Sequence, residues 1–99
     1  MSESFTVRIL RLLDGRVFEF SGRDAWALGC LVSAGDAGCT PIDHPGPRWS
    51  AYVHKLRRAG LDIQTIDERH GGPFAGHHAR YVLRTGVRVL EIVRCGVAA

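Results

Sequence analysis

The stretch Arg48-Trp-Ser-Ala-Tyr-Val-His-Lys-Leu-Arg-Arg-Ala-Gly60 reads as a single amphipathic helix over 48–59, closed by a glycine. Trp49, Tyr52, Val53, Leu56 and Ala59 recur at helical spacing and share one face. At about 100° per residue, Ser50, Ala51, His54, Lys55, Arg57 and Arg58 fall on the other side, with Arg48 at the N-terminal end. No acidic residue interrupts that side between Arg48 and Ala59, whereas a merely solvated helix usually mixes both signs. The small Ser50 and Ala51 would let the helix approach a groove floor. Arg48, Lys55 and Arg58 are long enough to reach base edges or phosphates. The plainer alternative is a charged, solvated helix face.

Downstream, Leu61 to Asp67 reads as a strand with imperfect alternation, and Ala79 to Arg84 as a second one. Between them, Arg69-His-Gly-Gly-Pro-Phe-Ala-Gly-His-His78 is too rich in glycine for regular structure, so 69–78 reads as a ten-residue loop. A loop of that kind beside a basic helix would act as a wing. Gly71, Gly72 and Gly76 would keep it thin, and Arg69, His70, His77, His78 and Arg80 would stand where phosphates or a minor groove can be touched. Thr85-Gly86 turns the chain into a last strand, Val87 to Val93, and Tyr81 and Leu83 are expected on an inward face.

Upstream, Cys39-Thr-Pro-Ile-Asp-His-Pro-Gly-Pro47 contains three prolines. Thr40 before Pro41 predicts a capped helical turn that Pro45 stops, with a new start near Pro47. Residues 40–46 therefore hold one turn at most. Before them, Asp24 to Ala34 predicts a helix, capped by Ser21 and ended by Gly35 and Gly38, with residues 26, 27, 30, 31 and 34 apolar. The chain opens with two apolar, β-rich runs joined by Asp14-Gly15, which predicts a β-hairpin over 4–20 with a two-residue turn.

Helix, short turn, basic helix and winged strand pair together predict a helix-turn-helix arrangement. The run from Pro45 through Glu68, followed by His70-Gly-Gly-Pro-Phe-Ala-Gly-His-His-Ala-Arg-Tyr-Val-Leu83, resembles the small bacterial winged helix domain proteins. The resemblance rests on Leu56-Arg-Arg-Ala-Gly60, on Ile63-Gln-Thr65 and on Ala79-Arg-Tyr-Val-Leu83, and covers roughly residues 24 to 85. It implies a winged helix fold and binding to double-stranded DNA, with 48–59 as reader. The segment 40–46, where a second helix belongs, departs from the family pattern, and the opening hairpin lies outside the match. The expectation is one α+β domain over 1–99, a winged helix-turn-helix (21–85) with an N-terminal β-hairpin (4–20) and a C-terminal strand (87–93).

At 99 residues and 10.9 kDa the chain fits one domain. Its net charge of +3 is unevenly placed: residues 1–47 hold four basic and six acidic side chains, residues 48–88 eight and three. That gradient points to a polyanion partner for the second half. No apolar run approaches membrane-spanning length, and Met1-Ser2-Glu3-Ser4 does not open a signal peptide. Cys30, Cys39 and Cys95 are too few and scattered for a disulfide framework, so a cytoplasmic chain with reduced thiols is expected. His70, His77 and His78, or Cys39 with His44, lack zinc-site spacing, so neither metal nor cofactor is expected. No catalytic constellation stands out: Cys30 falls on an apolar helix face, and Trp26, Trp49 and Tyr52 read as core. The protein is expected not to be an enzyme, and to act as a transcriptional or nucleoid-associated regulator.

Val7, Ile9, Leu10, Leu12 and Leu13 cannot share one face of a strand. The surplus suggests a homodimer joined through the hairpin or the last strand. The alternative function is a protein–protein interaction module on the same scaffold, without DNA binding.

Overall fold

Gly38 is where the fold closes on itself, and its position follows from the elements on either side. The computed structural model describes residues 4–43, 48–71 and 76–95, with backbone alone for 4, 70, 94 and 95. The elements are β1 (Ser4–Arg11), β2 (Val17–Ser21), α1 (Gly22–Ala34), a 3-10 turn (Gly35–Ala37), α2 (Trp49–Ala59), β3 (Ile63–His70), β4 (Gly76–Leu83) and β5 (Val87–Cys95).

β2, β1 and β5 form an antiparallel sheet in that order. Val7 pairs with Phe20 and Ile9 with Phe18, which puts these side chains on one face, and α1 lies over that face. On the opposite face Arg8 stands between Glu19 (3.7 Å) and Glu91 (3.9 Å), a polar strip suited to water. The hairpin expected at the start is present, but its turn differs. Arg11 N–H donates to Arg16 carbonyl and Gly15 N–H to Arg11 carbonyl, so Leu12–Gly15 form a four-residue loop instead of a two-residue turn. The cause is Asp14, which accepts from Arg11 Nε (3.0 Å), Arg11 Nη2 (2.6 Å) and the Arg16 amide (3.2 Å). Leu12 and Leu13 are thereby expelled from the strand and stand 60% and 88% exposed.

Those hydrogen bonds, the Arg11 ones foremost, hold the Asp14 carboxyl down at about 2, from an ordinary 3.8. A carboxylate depressed by folding contributes stability that is complete above its unfolded pKa and fades as pH falls through the folded one. Asp14→Asn should therefore melt below wild type at neutral pH, and the gap should close as pH falls from about 4 towards 2. Thermal melts across that range check it; a gap that stays constant would contradict the assigned role.

Ser21, the N-cap before α1, is extended but makes no side-chain cap; its hydroxyl instead lies 3.5 Å from that of Thr6. The buried face is Ala25, Ala27, Leu28 and Leu31, turned from the expected 26, 27, 30, 31 and 34. The reason is that α1 is covered twice, by the sheet and by α2, so Trp26, Cys30 and Ala34 sit half-buried at the border. Gly35 ends the helix as expected, its amide donating to Leu31 carbonyl.

After Gly38, Cys39 exchanges two 2.8 Å hydrogen bonds with Tyr81, forming a one-residue third strand beside β4. Thr40 is buried and its Oγ1 accepts from the Asp43 amide (3.0 Å), so the capped single turn over 41–43 stands as expected. The expected stop at Pro45, the new start at Pro47 and the Cys39–His44 spacing fall partly on 44–47, outside the described residues. β3 and β4 pair antiparallel from Ile63↔Leu83 to His70↔Gly76. The irregular loop expected over 69–78 is thus a correction: Arg69 and His70 lie on β3, and His77 and His78 on β4, whereas Arg80 lies on the strand where it was expected. Polar pairs across the ladder, such as Glu68 against His78, supply the regularity that glycine content obscured. Gly72 lies outside the described residues.

Candidate nucleic-acid interface

α2 is anchored by aromatic packing at one end and by a glycine cap at the other. Trp49 stacks on Tyr81 of β4 (centroids 5.9 Å, 16°) and meets Trp26 and Tyr52 at 5.5 and 6.3 Å. At the C-terminus Gly60 adopts a left-handed conformation (φ 117°). Its amide donates to Arg57 carbonyl and that of Leu61 to Leu56 carbonyl, with Leu61 buried. Arg11 adds a third tie: its Nη1 donates to Gly60 carbonyl (3.0 Å) while its guanidinium lies over the Phe18 ring. The hairpin tip is thereby tethered to the end of α2, a link that no local signal in either segment announces.

With Trp49, Tyr52, Val53 and Leu56 buried, the exposed side of α2 is fixed. Ser50, His54, Lys55, Arg57, Arg58 and the N-capping Arg48 are exposed and Ala51 half-buried, as the helical pattern predicts. Ala51, His54 and Arg58 line the middle of that face at i, i+3 and i+7. The cations at its flanks are engaged. On one flank Arg57 donates from Nε (3.1 Å) and Nη2 (2.5 Å) to Ile63 carbonyl and from Nη2 to Thr65 Oγ1 (2.7 Å), pinning α2 to β3. On the other, Lys55 Nζ lies 3.9 Å from Asp24 of α1. The helix itself supplies no acid to this face; a neighbouring one does.

The strand pair carries both signs. Arg80 Nε donates to Glu68 (2.7 Å) and its Nη1 to Ala37 carbonyl (2.6 Å), tying β4 to the turn after α1. His78 Nε2 lies 3.0 Å from Glu68, and Arg80 first, then His78, hold that carboxyl below its usual range. His77 is exposed and 3.2 Å from Asp67. Arg69 is directly opposite His77 and exposed, on the same face of the strand pair as Tyr81 and hence towards α2. The side chain of His70 lies outside the described residues.

The side chains of Arg48, His54, Arg58 and Arg69 therefore have no hydrogen bond or ion pair among the described residues, whereas those of Arg57, Arg80 and Lys55 do. Cys39 is buried and its thiol is pushed up to about 12, chiefly by that burial, which removes it as a nucleophile. Among the described residues no three His, Cys, Asp or Glu side chains group to hold a metal, and no helix is long and apolar enough to cross a membrane.

A family model described as a winged helix domain matches residues 17–93. No curated protein and no solved structure matches the chain. The match takes in β2, both helices, the β3–β4 pair and most of β5, and omits β1.

Proposed function

The chain belongs to the winged helix domain family, whose members are in general DNA-binding modules and typically not enzymes, and from that premise we propose that it binds double-stranded DNA through α2 and the β3–β4 arm. The observation that carries this reading is the outer face of α2, exposed from Arg48 to Arg58, free of acidic residues of its own and centred on small and cationic side chains. Such a face fits a major groove, which admits a helix. Arg48, Ser50, Ala51, His54, Lys55 and Arg58 meet base edges or the adjoining backbone, and Arg69 and His77 reach phosphates beside it. His70 and His78 belong to the same arm.

Arg57 and Arg80 act differently from free phosphate ligands. Each fixes an element of the interface and keeps one terminal nitrogen, Nη1 of Arg57 and Nη2 of Arg80, for an anion. Their order is what lets the neighbouring cations meet DNA at low entropic cost. The biological role that follows is a transcriptional or nucleoid-associated regulator in the cytoplasm. Two copies on one duplex would read symmetric half-sites.

The test is fluorescence anisotropy with a labelled random duplex. Affinity should fall by orders of magnitude between about 50 and 200 mM salt, as phosphate neutralisation requires. A Lys55→Ala/Arg58→Ala double variant should abolish the signal. Arg58→Ala alone should weaken binding and relax sequence preference, while Arg69→Ala weakens it nearly uniformly. Absence of binding at low salt would overturn the reading in favour of an interaction module that docks an acidic protein.

A further inference from the structure

The three-stranded sheet ends on β5, whose outer edge pairs with no strand among the described residues. Leu90 and Ile92, two large apolar side chains that stand 46% and 55% exposed, lie on this strand. β5 is also irregular at one point: Val89 pairs with Ile9 and Glu91 with Arg8, which leaves Leu90 as an extra residue in a bulge.

That extra residue changes which side chains share a face. Directly opposed residues of an antiparallel pair point the same way. Val87, Val89 and Ile92, opposite Arg11, Ile9 and Val7, therefore lie on the inner face that α1 covers. Arg88 and Glu91, opposite Leu10 and Arg8, lie on the outer one.

We propose that two copies of this chain pair antiparallel along β5, about a two-fold axis between Val89 and Leu90, to make one continuous six-stranded sheet. In this register Arg88 faces the partner's Glu91 and Val87 faces the partner's Ile92, and symmetry makes each pairing twice. Both pairings join residues of the same face, and the bulge is what makes this so; in a regular strand the same axis would set inner residues against outer ones. Sliding the register by two residues sets Arg88 against the partner's Val93 and leaves Glu91 facing the partner's Leu90, losing both charge pairs.

The other edge of the sheet does not offer this complementarity. Centred on β2, the pairing sets Glu19 against the partner's Glu19, two like charges directly opposed. On β5 the inner face also has room for the incoming side chain. Val87 lines an open cleft of about 170 Å³ together with Leu31, Val32 and Leu83, and the partner's Ile92 arrives beside it. A two-fold axis perpendicular to the sheet keeps both α1 helices on one side of it.

The pairing stands apart from the DNA reading and is measured without nucleic acid, by sedimentation equilibrium of the full chain over a concentration series. A mass rising towards twice 10.9 kDa is expected; a single-copy mass throughout overturns the proposal. Arg88→Glu and Glu91→Arg should each weaken self-association by about tenfold, because each sets like charges together twice. An equimolar mixture of the two variants should restore it, since both charge contacts in the mixed dimer are then attractive. Arg88 has no ion pair among the described residues, so Arg88→Glu should fold normally even if Glu91→Arg, placed beside Arg8, melts lower. A dimer indifferent to both variants, or a mixture no tighter than either alone, would overturn the β5 register.

Discussion

Gly38→Ala should destabilise the protein by about 3 kcal/mol or more, enough to leave a marginal domain largely unfolded. Two effects add at this position. The backbone adopts φ 73° and ψ −177°, a combination essentially reserved for glycine. A Cβ there would also lie 2.6 Å from the Tyr81 carbonyl oxygen and 2.8 Å from Val82 Cγ2. The first of these is backbone, already committed to the Cys39 amide, and cannot move without breaking the bridge that joins the α1 turn to β4. Gly35→Ala is the matched control. It shares a positive φ, 57° with ψ −134°, but nothing lies within 4 Å of its Cβ, so it should cost the backbone strain alone, about 1–3 kcal/mol and less than Gly38→Ala. Urea unfolding of the two variants separates strain from collision. Equal losses would show that the close approach at Tyr81 carries no energetic weight.

The reach of the sequence differs from one element to the next for identifiable reasons. α2 was legible to within a residue because its signals are local: apolar spacing, a cation-rich opposite face and Gly60 in the left-handed position that only glycine fills readily. The single turn after Thr40 was legible for the same reason, since the cap that forms it is three residues long. The hairpin turn was misread because its register is set by Asp14 and Arg11, whose pairing overrides the Asp-Gly preference, and because Arg11 answers as well to Gly60, 49 residues away. The strand pair extends further towards its tip than the glycines suggested, since cross-strand pairs such as Glu68–His78 and Arg69–His77 are invisible until the register is known.

The interface shows the same division. Which residues line the exposed side of α2 follows from helical geometry alone. Which of those cations are free does not: Arg57 is held by Ile63 and Thr65, Arg80 by Glu68 and Ala37, and Lys55 lies near Asp24, each on another element. A sequence read for charge counts all of them alike. The fold divides them into residues that build the interface and residues left to meet a partner.

Trp49→Ala should lower stability by about 3–5 kcal/mol, the range for truncating a large buried aromatic side chain. Trp49 is 3% exposed, and its ring contacts among the described residues join three elements, through Trp26 on α1, Tyr52 on α2 and Tyr81 on β4. Its loss opens a cavity where the N-terminal turn of α2 meets the strand pair, and stacked aromatic pairs lose more than their buried area alone. The consequence reaches function by geometry. Arg48 and Ser50 flank Trp49 on the exposed side, and Arg69 lies farther out on the face to which Tyr81 belongs, so the stacking fixes the relation between the two halves of the interface. Trp49→Phe keeps an aromatic ring in the cluster and should lose markedly less stability. Denaturant unfolding followed by near-ultraviolet dichroism would register both variants, with Trp26 as the remaining tryptophan. A loss below about 1 kcal/mol for Trp49→Ala would mean that the cluster does not anchor α2, and that the arm is positioned by Arg57, the Arg80–Ala37 hydrogen bond and the Cys39 bridge.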